Sequence, residues 1–301
     1  MARPCILHMF TPTRQASPFD VNMAIDAGYA HVIPYAEAGL DSITALTQDA
    51  IFSRGPKGVA NTSIFIGGRD VVLAADMLDA ARKAMVPPFA VSVFADPSGS
   101  YTTAAALVAA VERQLRKVHQ TDFSGRRVLV LGGSGAVGRV AGALASQLGA
   151  RVWLSNRSGS EQATRISRET NERFNAQTEG ILIRSADVLR AALAEADVVF
   201  ATASAGVQVV GEADRAAAGK LLVAADVNAV PPAGIAGVDA MDDGKPIGTG
   251  KAVGVGALAI GNIKYQVQHR LFLAMREAAR PVYLGVPEAM AMARTVAAEL
   301  P

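Results

Sequence analysis

Short apolar runs alternate along this chain with longer stretches in which apolar positions recur every three or four residues. That pattern predicts strands and amphipathic helices in turn. In the first 120 residues, strands are expected at 6–10, 31–33, 63–66 and 89–94. Helices are expected at 19–27 and 40–49, and a third marked by Val71, Ala75, Leu78, Ala81 and Met85 stops before Pro87-Pro88. A long helix over 102–118 would turn Leu107, Val111, Leu115 and Val118 inward. Beyond it, strands are expected at 128–131, 151–154, 181–183, 197–201 and 221–225, with helices at 162–174 and 188–194 between them. The tail reads as two helices, 256–279 and 287–300, the second with Pro287 in its first turn.

Strand–helix alternation argues for parallel sheets covered on both faces. The expected fold class is α/β. An N-terminal α/β substrate domain would accompany a Rossmann-type doubly wound parallel sheet, with a cleft between them. Residues 1–120 and 255–301 would form the first domain and 121–254 an inserted second domain. No repeat or low-complexity segment interrupts the chain.

A length of 301 residues favours this two-domain reading, and 50% hydrophobic residues supply ample core. The net charge is only +2. The densest basic patch, Arg113, Arg116, Lys117, Arg126 and Arg127, lacks interleaved aromatics, which speaks against nucleic-acid binding. Cys5 is the sole cysteine, so no intrachain disulfide can form and a reducing cytoplasm is the expected setting. The apolar run 5–10 is too short for a signal peptide, and the uncharged, glycine-rich run 252–263 is too short to span a bilayer. No membrane association is expected. His8, His31, His119 and His269 lack ligand spacing, so no metal site is expected. The segment Thr249-Gly250-Lys251-Ala252 brushes a P-loop but fails it, because position 245 is Lys and position 252 is Ala.

The stretch RRVLVLGGSGAVG over 126–138 carries the strongest chemical signal. An apolar strand runs directly into Gly133-Ser134-Gly135-Ala136-Val137-Gly138, and apolar residues then recur at helical spacing. Strand, G-x-G-x-x-G turn and helix form the context that a dinucleotide fingerprint requires. Gly133 is expected to make the tight turn, Gly135 to let backbone approach a pyrophosphate, and Gly138 to let helix pack on strand. The phosphates would sit on the helix N-terminus.

The end of the next strand bears on cofactor choice. An NAD enzyme usually places an acid there for the ribose hydroxyls. This chain has Ser155-Asn156-Arg157-Ser158 instead. Arg157 can pair with a 2′-phosphate, and the serine hydroxyls can add hydrogen bonds. NADP is therefore favoured, with NAD still possible.

Several segments together resemble the bacterial NAD(P)-dependent methylene-tetrahydromethanopterin dehydrogenases of one-carbon metabolism. They are SPFDVNMAIDAG, AIFSRGPKGVANTSIFIGGRD, DPSGSYTTAAA, VLVLGGSGAVG, ADVNAVPPAGIAGVDA and GVGALAIGNIKYQVQH, and they span nearly the whole chain. The resemblance implies hydride transfer from methylene-tetrahydromethanopterin to NAD(P)+ by a homo-oligomer. It places Ser98, Gly99, Ser100 and Thr102 beside the cleft. It implies that Asp20, in the F-D-V segment, bonds the pterin ring and that Lys264, in the G-x-x-K segment, faces the reacting carbon. Taken without the resemblance, Asp20 reads as a helix-capping residue and Lys264 as a solvated helix position.

Two other readings remain open on the sequence. One is a methylene-tetrahydrofolate dehydrogenase, with or without cyclohydrolase activity, because the pterins share a bicyclic core. Another is an NADPH-binding sensor without turnover. A shikimate-dehydrogenase-like enzyme shares the Asn-Arg-Ser turn, but no matching catalytic pair is found in the substrate domain.

Overall fold

The computed structural model describes residues 3–300. The chain runs through β1 (Ile6–Phe10), α1 (Pro18–Asp26), β2 (His31–Tyr35), α2 (Ile43–Phe52), α3 (Gly55–Val59), β3 (Thr62–Ile66), α4 (Val71–Lys83), β4 (Ser92–Ala95) and α5 (Ser100–His119). It continues with β5 (Arg127–Leu131), α6 (Ala136–Gln147), β6 (Arg151–Asn156), α7 (Ser160–Phe174), β7 (Thr178–Leu182), α8 (Ala186–Glu195), β8 (Val198–Ala201), α9 (Glu212–Arg215) and β9 (Val223–Asp226). The last elements are β10 (Asp243–Pro246), β11 (Val253–Val255), α10 (Ala257–Glu277), β12 (Tyr283–Leu284) and α11 (Val286–Glu299). The elements separate into two compact units. One holds the chain up to Thr102 with Tyr265–Met292, and the other holds Thr103–Lys264 with the residues from Ala293. The helices α5, α10 and α11 each run through the division.

The first unit carries a five-stranded sheet in the order β12-β4-β3-β1-β2, parallel throughout. Every residue of β3 and β4 is buried, as a parallel sheet covered on both faces requires. Phe65 of β3, Phe94 of β4 and Phe272 of α10 meet with ring centroids 5.2–5.4 Å apart. This aromatic contact seats the second half of α10 on the sheet.

The second unit carries seven strands in the order β10-β11-β9-β8-β5-β6-β7. All its pairings are parallel except β10 with β11. Read from β7, the order is 3-2-1-4-5-6 with an added antiparallel edge, which is the doubly wound arrangement. Val128, Leu129 and Val130 have no exposed surface. In the same unit, Arg294 of α11 donates two bonds to the buried carboxylate of Glu112 on α5, at 2.7 and 2.8 Å.

Several details depart from the sequence expectations. Val253–Val255 forms the strand β11, ahead of the first tail helix, and Tyr283–Leu284 forms the strand β12, between the two tail helices, where no strand was expected. β12 borrows its stability from its neighbour β4 rather than from an apolar run of its own. Val118 is 43% exposed rather than inward, because α5 has reached its last turn there.

Candidate functional site

The reversal of strand order between β6 and β8 on either side of β5 creates a crevice at the carboxyl ends of the strands, where α/β sheets bind ligands. A cavity of about 420 Å³ lies there. Its floor is the turn after β5. Gly132, rather than Gly133, is the left-handed residue, with φ +86°. A side chain on Gly132 would also meet the backbone of Thr202 and Ala203 at 2.6–2.7 Å. Gly133 is required for a different reason: its Cβ would fall 2.7 Å from the backbone at Leu154 and Ser155, where β6 ends. Gly138 lies in the first turn of α6, and a Cβ there would be 2.5 Å from the carbonyl of Gly132. These close approaches hold the N-terminus of α6 against the strand ends. Gly135 is its N-cap and has no side chain to offer the first N–H groups, so they remain suited to an anion.

The opposite rim is the turn after β6. Ser155 accepts a 3.2 Å bond at Oγ from the N–H of Gly132, tying the two turns together. Buried Asn156 accepts at Oδ1 from the N–H groups of Ser158 (2.6 Å) and Gly159 (3.2 Å). Arg157 and Ser158 are exposed and line the cavity with Asn156. No acidic residue is among the cavity walls. Of the fingerprint residues, Ser134 and Gly135 reach the cavity, while Gly133, Ala136, Val137 and Gly138 lie outside its lining.

The third side comes from the loop after β8, braced by the loop after β9. Val207 and Val209 line the cavity. The loop carrying them is held by Asn228, whose Oδ1 accepts from the N–H of Gly206 at 3.1 Å. Asn228 in turn is placed by Asp226, which closes β9 and is 2% exposed. The Asp226 carboxylate accepts three backbone N–H bonds, from Asn228 (2.9 Å), Gly234 (2.6 Å) and Ile235 (3.2 Å). Burial pushes its pKa above the ordinary aspartate value, and the three N–H donors offset that only in part.

The polar residues of the first unit are arranged differently. Asp20 lies in the first turn of α1, is buried, and accepts a 2.8 Å bond from Nε2 of Gln268 on α10. In the loop before α5, Ser98 (φ +51°) and Gly99 (φ +66°) are successive left-handed residues. They reverse the chain so that the buried carboxylate of Asp96 accepts from the N–H groups of Tyr101 and Thr102 at 2.9 and 3.2 Å. Thr102 also donates its hydroxyl to that carboxylate at 2.7 Å. Gly99, Ser100 and Thr102 are buried, and Ser98 alone of the four is exposed. Lys264, the last residue of the Thr103–Lys264 stretch of the second unit, is half-buried on α10, one turn before Gln268.

Residues 18–98 match the family model described as methylene-tetrahydromethanopterin dehydrogenase, N-terminal. The chain is 48% identical to an NAD(P)-dependent methylenetetrahydromethanopterin dehydrogenase from Methylorubrum extorquens, over 99% of this chain and all of that one. The chain belongs to the methylenetetrahydromethanopterin dehydrogenase family. It is also 32% identical to the bifunctional protein MdtA of the same organism, over 92% of this chain and 94% of that one. Among solved structures, a quinate dehydrogenase from Corynebacterium glutamicum in complex with NAD shares the fold at TM-score 0.53 and 12% identity, covering 96% of this chain and 98% of that one.

For a member of the methylenetetrahydromethanopterin dehydrogenase family, the acid-free turn after β6 and the glycine floor after β5 are the parts of the cavity that sequence motifs point to. The far wall is not motif-bound. Thr202, Ala203 and Ser204 follow β8, and their only sequence signal is a run of small residues after an apolar strand. Arg184 carries no motif at all, yet its guanidinium donates to the carbonyls of Arg157 (3.1 Å) and Ser158 (2.6 Å).

Proposed function

We propose that this chain oxidises methylene-tetrahydromethanopterin to methenyl-tetrahydromethanopterin with NADP+ as hydride acceptor, NAD+ serving less well. The observation that carries the reading is 48% identity, end to end, to a relative named for that reaction. The cavity suits a dinucleotide: glycines at contact distance from backbone, an N-terminus open to phosphate, and a cationic turn without a carboxylate. Residues 121–254 hold the nucleotide in this reading, and residues 1–120 with 255–301 hold the pterin. Bound NADP+ supplies the hydride acceptor.

The chain's own residues then bind and orient. Ser134 and Gly135 receive the pyrophosphate at the start of α6. Arg157 and Ser158 read the 2′-phosphate. Asp20 and Lys264 position the pterin, with the loop 98–102 beside it. The departing hydride leaves a carbon flanked by two nitrogens, and the product is a resonance-stabilised cation. No proton moves, so the site needs no general base. Alignment of two rings with reacting atoms about 3–3.5 Å apart is then the main catalytic resource. The single cysteine suits the reducing cytoplasm, and the assembly we assign is a homo-oligomer, as the family resemblance implies.

The test is an absorbance assay of reduced nucleotide with purified protein. It crosses methylene-tetrahydromethanopterin and methylene-tetrahydrofolate with NADP+ and NAD+. Turnover confined to the folate would replace the substrate assignment. Nucleotide binding with no hydride transfer from either pterin would replace the enzyme with a sensor.

A further inference from the structure

We infer that Arg184 is a specificity-determining positioning residue, which with Asn156 presets the turn that reads the 2′-phosphate. This rests on the proposed use of NADP. The peptide units 157–158 and 158–159 are both trans, so each points its carbonyl away from its N–H. Asn156 Oδ1 takes the N–H of both units, at 2.6 and 3.2 Å. Arg184 takes the carbonyl of both, through Nε at 3.1 Å and Nη2 at 2.6 Å. Two side chains thus clamp two successive peptide planes from opposite edges.

Three consequences follow from that clamp. The N–H groups of Ser158 and Gly159 are already committed, which leaves recognition of a phosphate here to side chains. The backbone that projects Arg157 and Ser158 into the cavity is fixed before any ligand arrives, which lowers the ordering cost of binding. Arg184 also adds a second guanidinium to a turn that holds no acid, and it sits between Ile183 and the α8 N-cap Ser185 on the segment that walls the cavity. Its fork geometry is what allows one side chain to serve two carbonyls. A lysine carries the same charge on a single nitrogen and has no such planar pair of donors.

The experiment is a set of binding titrations of NADP+, NAD+, 2′,5′-ADP and 5′-AMP to the wild-type protein and to Arg184→Ala, Arg184→Lys and Arg157→Ala. Arg184→Ala is expected to weaken NADP+ and 2′,5′-ADP about tenfold, the scale of the ordering cost that binding must meet once the turn is no longer preset. NAD+ and 5′-AMP should stay within about twofold, which also reports an intact fold. Arg184→Lys should recover only a minor part. Equal losses for NADP+ and NAD+, no loss for NADP+, or full rescue by lysine would each overturn the clamp. If the wild-type protein fails to prefer 2′,5′-ADP over 5′-AMP, the parent reading of the turn has failed instead.

Discussion

Gln268 of α10 donates a 2.8 Å hydrogen bond from its side-chain amide to the carboxylate of Asp20 in α1, across 248 positions of sequence. Both groups are buried, at 0% and 3% exposure, and an unmet polar group there would cost about 1–3 kcal/mol. The bond fixes the rotation of α10 at the turn that follows Lys264. It also gives Asp20 a structural use alongside the pterin role proposed for it, and the two uses can be separated.

Asp20→Asn keeps an oxygen that can accept from Gln268 but removes the charge. Asp20→Ala removes both. We expect Asp20→Ala to lower kcat/KM for the pterin by about 100-fold, the scale set by lost alignment, with NADP+ affinity unchanged. Asp20→Asn should fall between the two. Wild-type steady-state kinetics in Asp20→Asn would reduce the residue to a brace for α10.

Two glycine substitutions should have opposite signs. Gly138→Ala puts a methyl 2.5 Å from the Gly132 carbonyl and 2.7 Å from Thr202 Oγ1, so α6 must move off the strand ends. A loss of about 1–3 kcal/mol in urea unfolding is expected from overpacking, together with weaker nucleotide binding. Gly261 lies within α10, and a Cβ there meets no atom within 4 Å. Gly261→Ala should gain up to about 1 kcal/mol from helix propensity. A stabilising Gly138→Ala would mean that the close approach of α6 to β5 is not what the glycine serves.

The elements with strong periodicity were legible in the sequence, β5 and α6 above all, because one strand and one amphipathic helix state their burial locally. β12 was not legible: two residues make no pattern, and Tyr283-Leu284 becomes a strand only by pairing with Val93-Phe94. The same limit applies at the cavity. Ser155 to Ser158 could be read as a cofactor turn from residue types alone. Arg184 reaches that turn only because β6 pairs with β7, which brings residues 26 and 27 positions apart into contact. Asp96 is a similar case. Its loop was recognisable from Pro and Gly, but the capping of α5 by its carboxylate depends on left-handed backbone at Ser98 and Gly99.

Asn156→Asp tests whether the missing acid decides cofactor choice. A carboxylate at 156 can still accept the N–H groups of Ser158 and Gly159, so the turn should survive. It adds a negative charge on the cavity wall where the 2′-phosphate is proposed to sit. NADP+ affinity should fall by about 10- to 100-fold through repulsion across a few ångströms, while NAD+ affinity holds or rises. Arg157→Ala should weaken NADP+ by about 1.5–3 kcal/mol, the scale of a charge-assisted bond. Parallel loss of both nucleotides in either variant would count against 2′-phosphate reading at this turn.

Asp226 makes a pH prediction with a definite sign. Its pKa in the folded protein is raised by burial, so the native state holds this proton more tightly than the unfolded chain does. Between the ordinary aspartate value of about 3.9 and the raised native value, stability therefore falls as pH rises. Asp226→Asn does not titrate. It also turns an NH₂ toward one of the N–H donors, and is expected to be less stable by about 1–3 kcal/mol. The gap between wild type and variant should be widest below pH 4 and narrow as pH climbs through the native pKa. Urea unfolding of both proteins across that range checks it, and a gap that widens with pH would reverse the assignment.

Lys264 poses the sharpest question about the chemistry. Hydride departure leaves positive charge on the pterin, so an ammonium group beside the reacting carbon would oppose the step. Its useful contribution is then a hydrogen bond that orients the ring. Lys264→Gln retains donors without charge, and Lys264→Met retains bulk without donors. If positioning is the role, Lys264→Met should lose on the order of 100-fold in kcat/KM for the pterin, and Lys264→Gln should recover a clear part of it. NADP+ affinity should remain within about twofold in both, since the dinucleotide turns lie on β5 and β6. Equal loss in the glutamine and methionine variants would make the charge itself the working feature, and wild-type kinetics in both would remove Lys264 from the site.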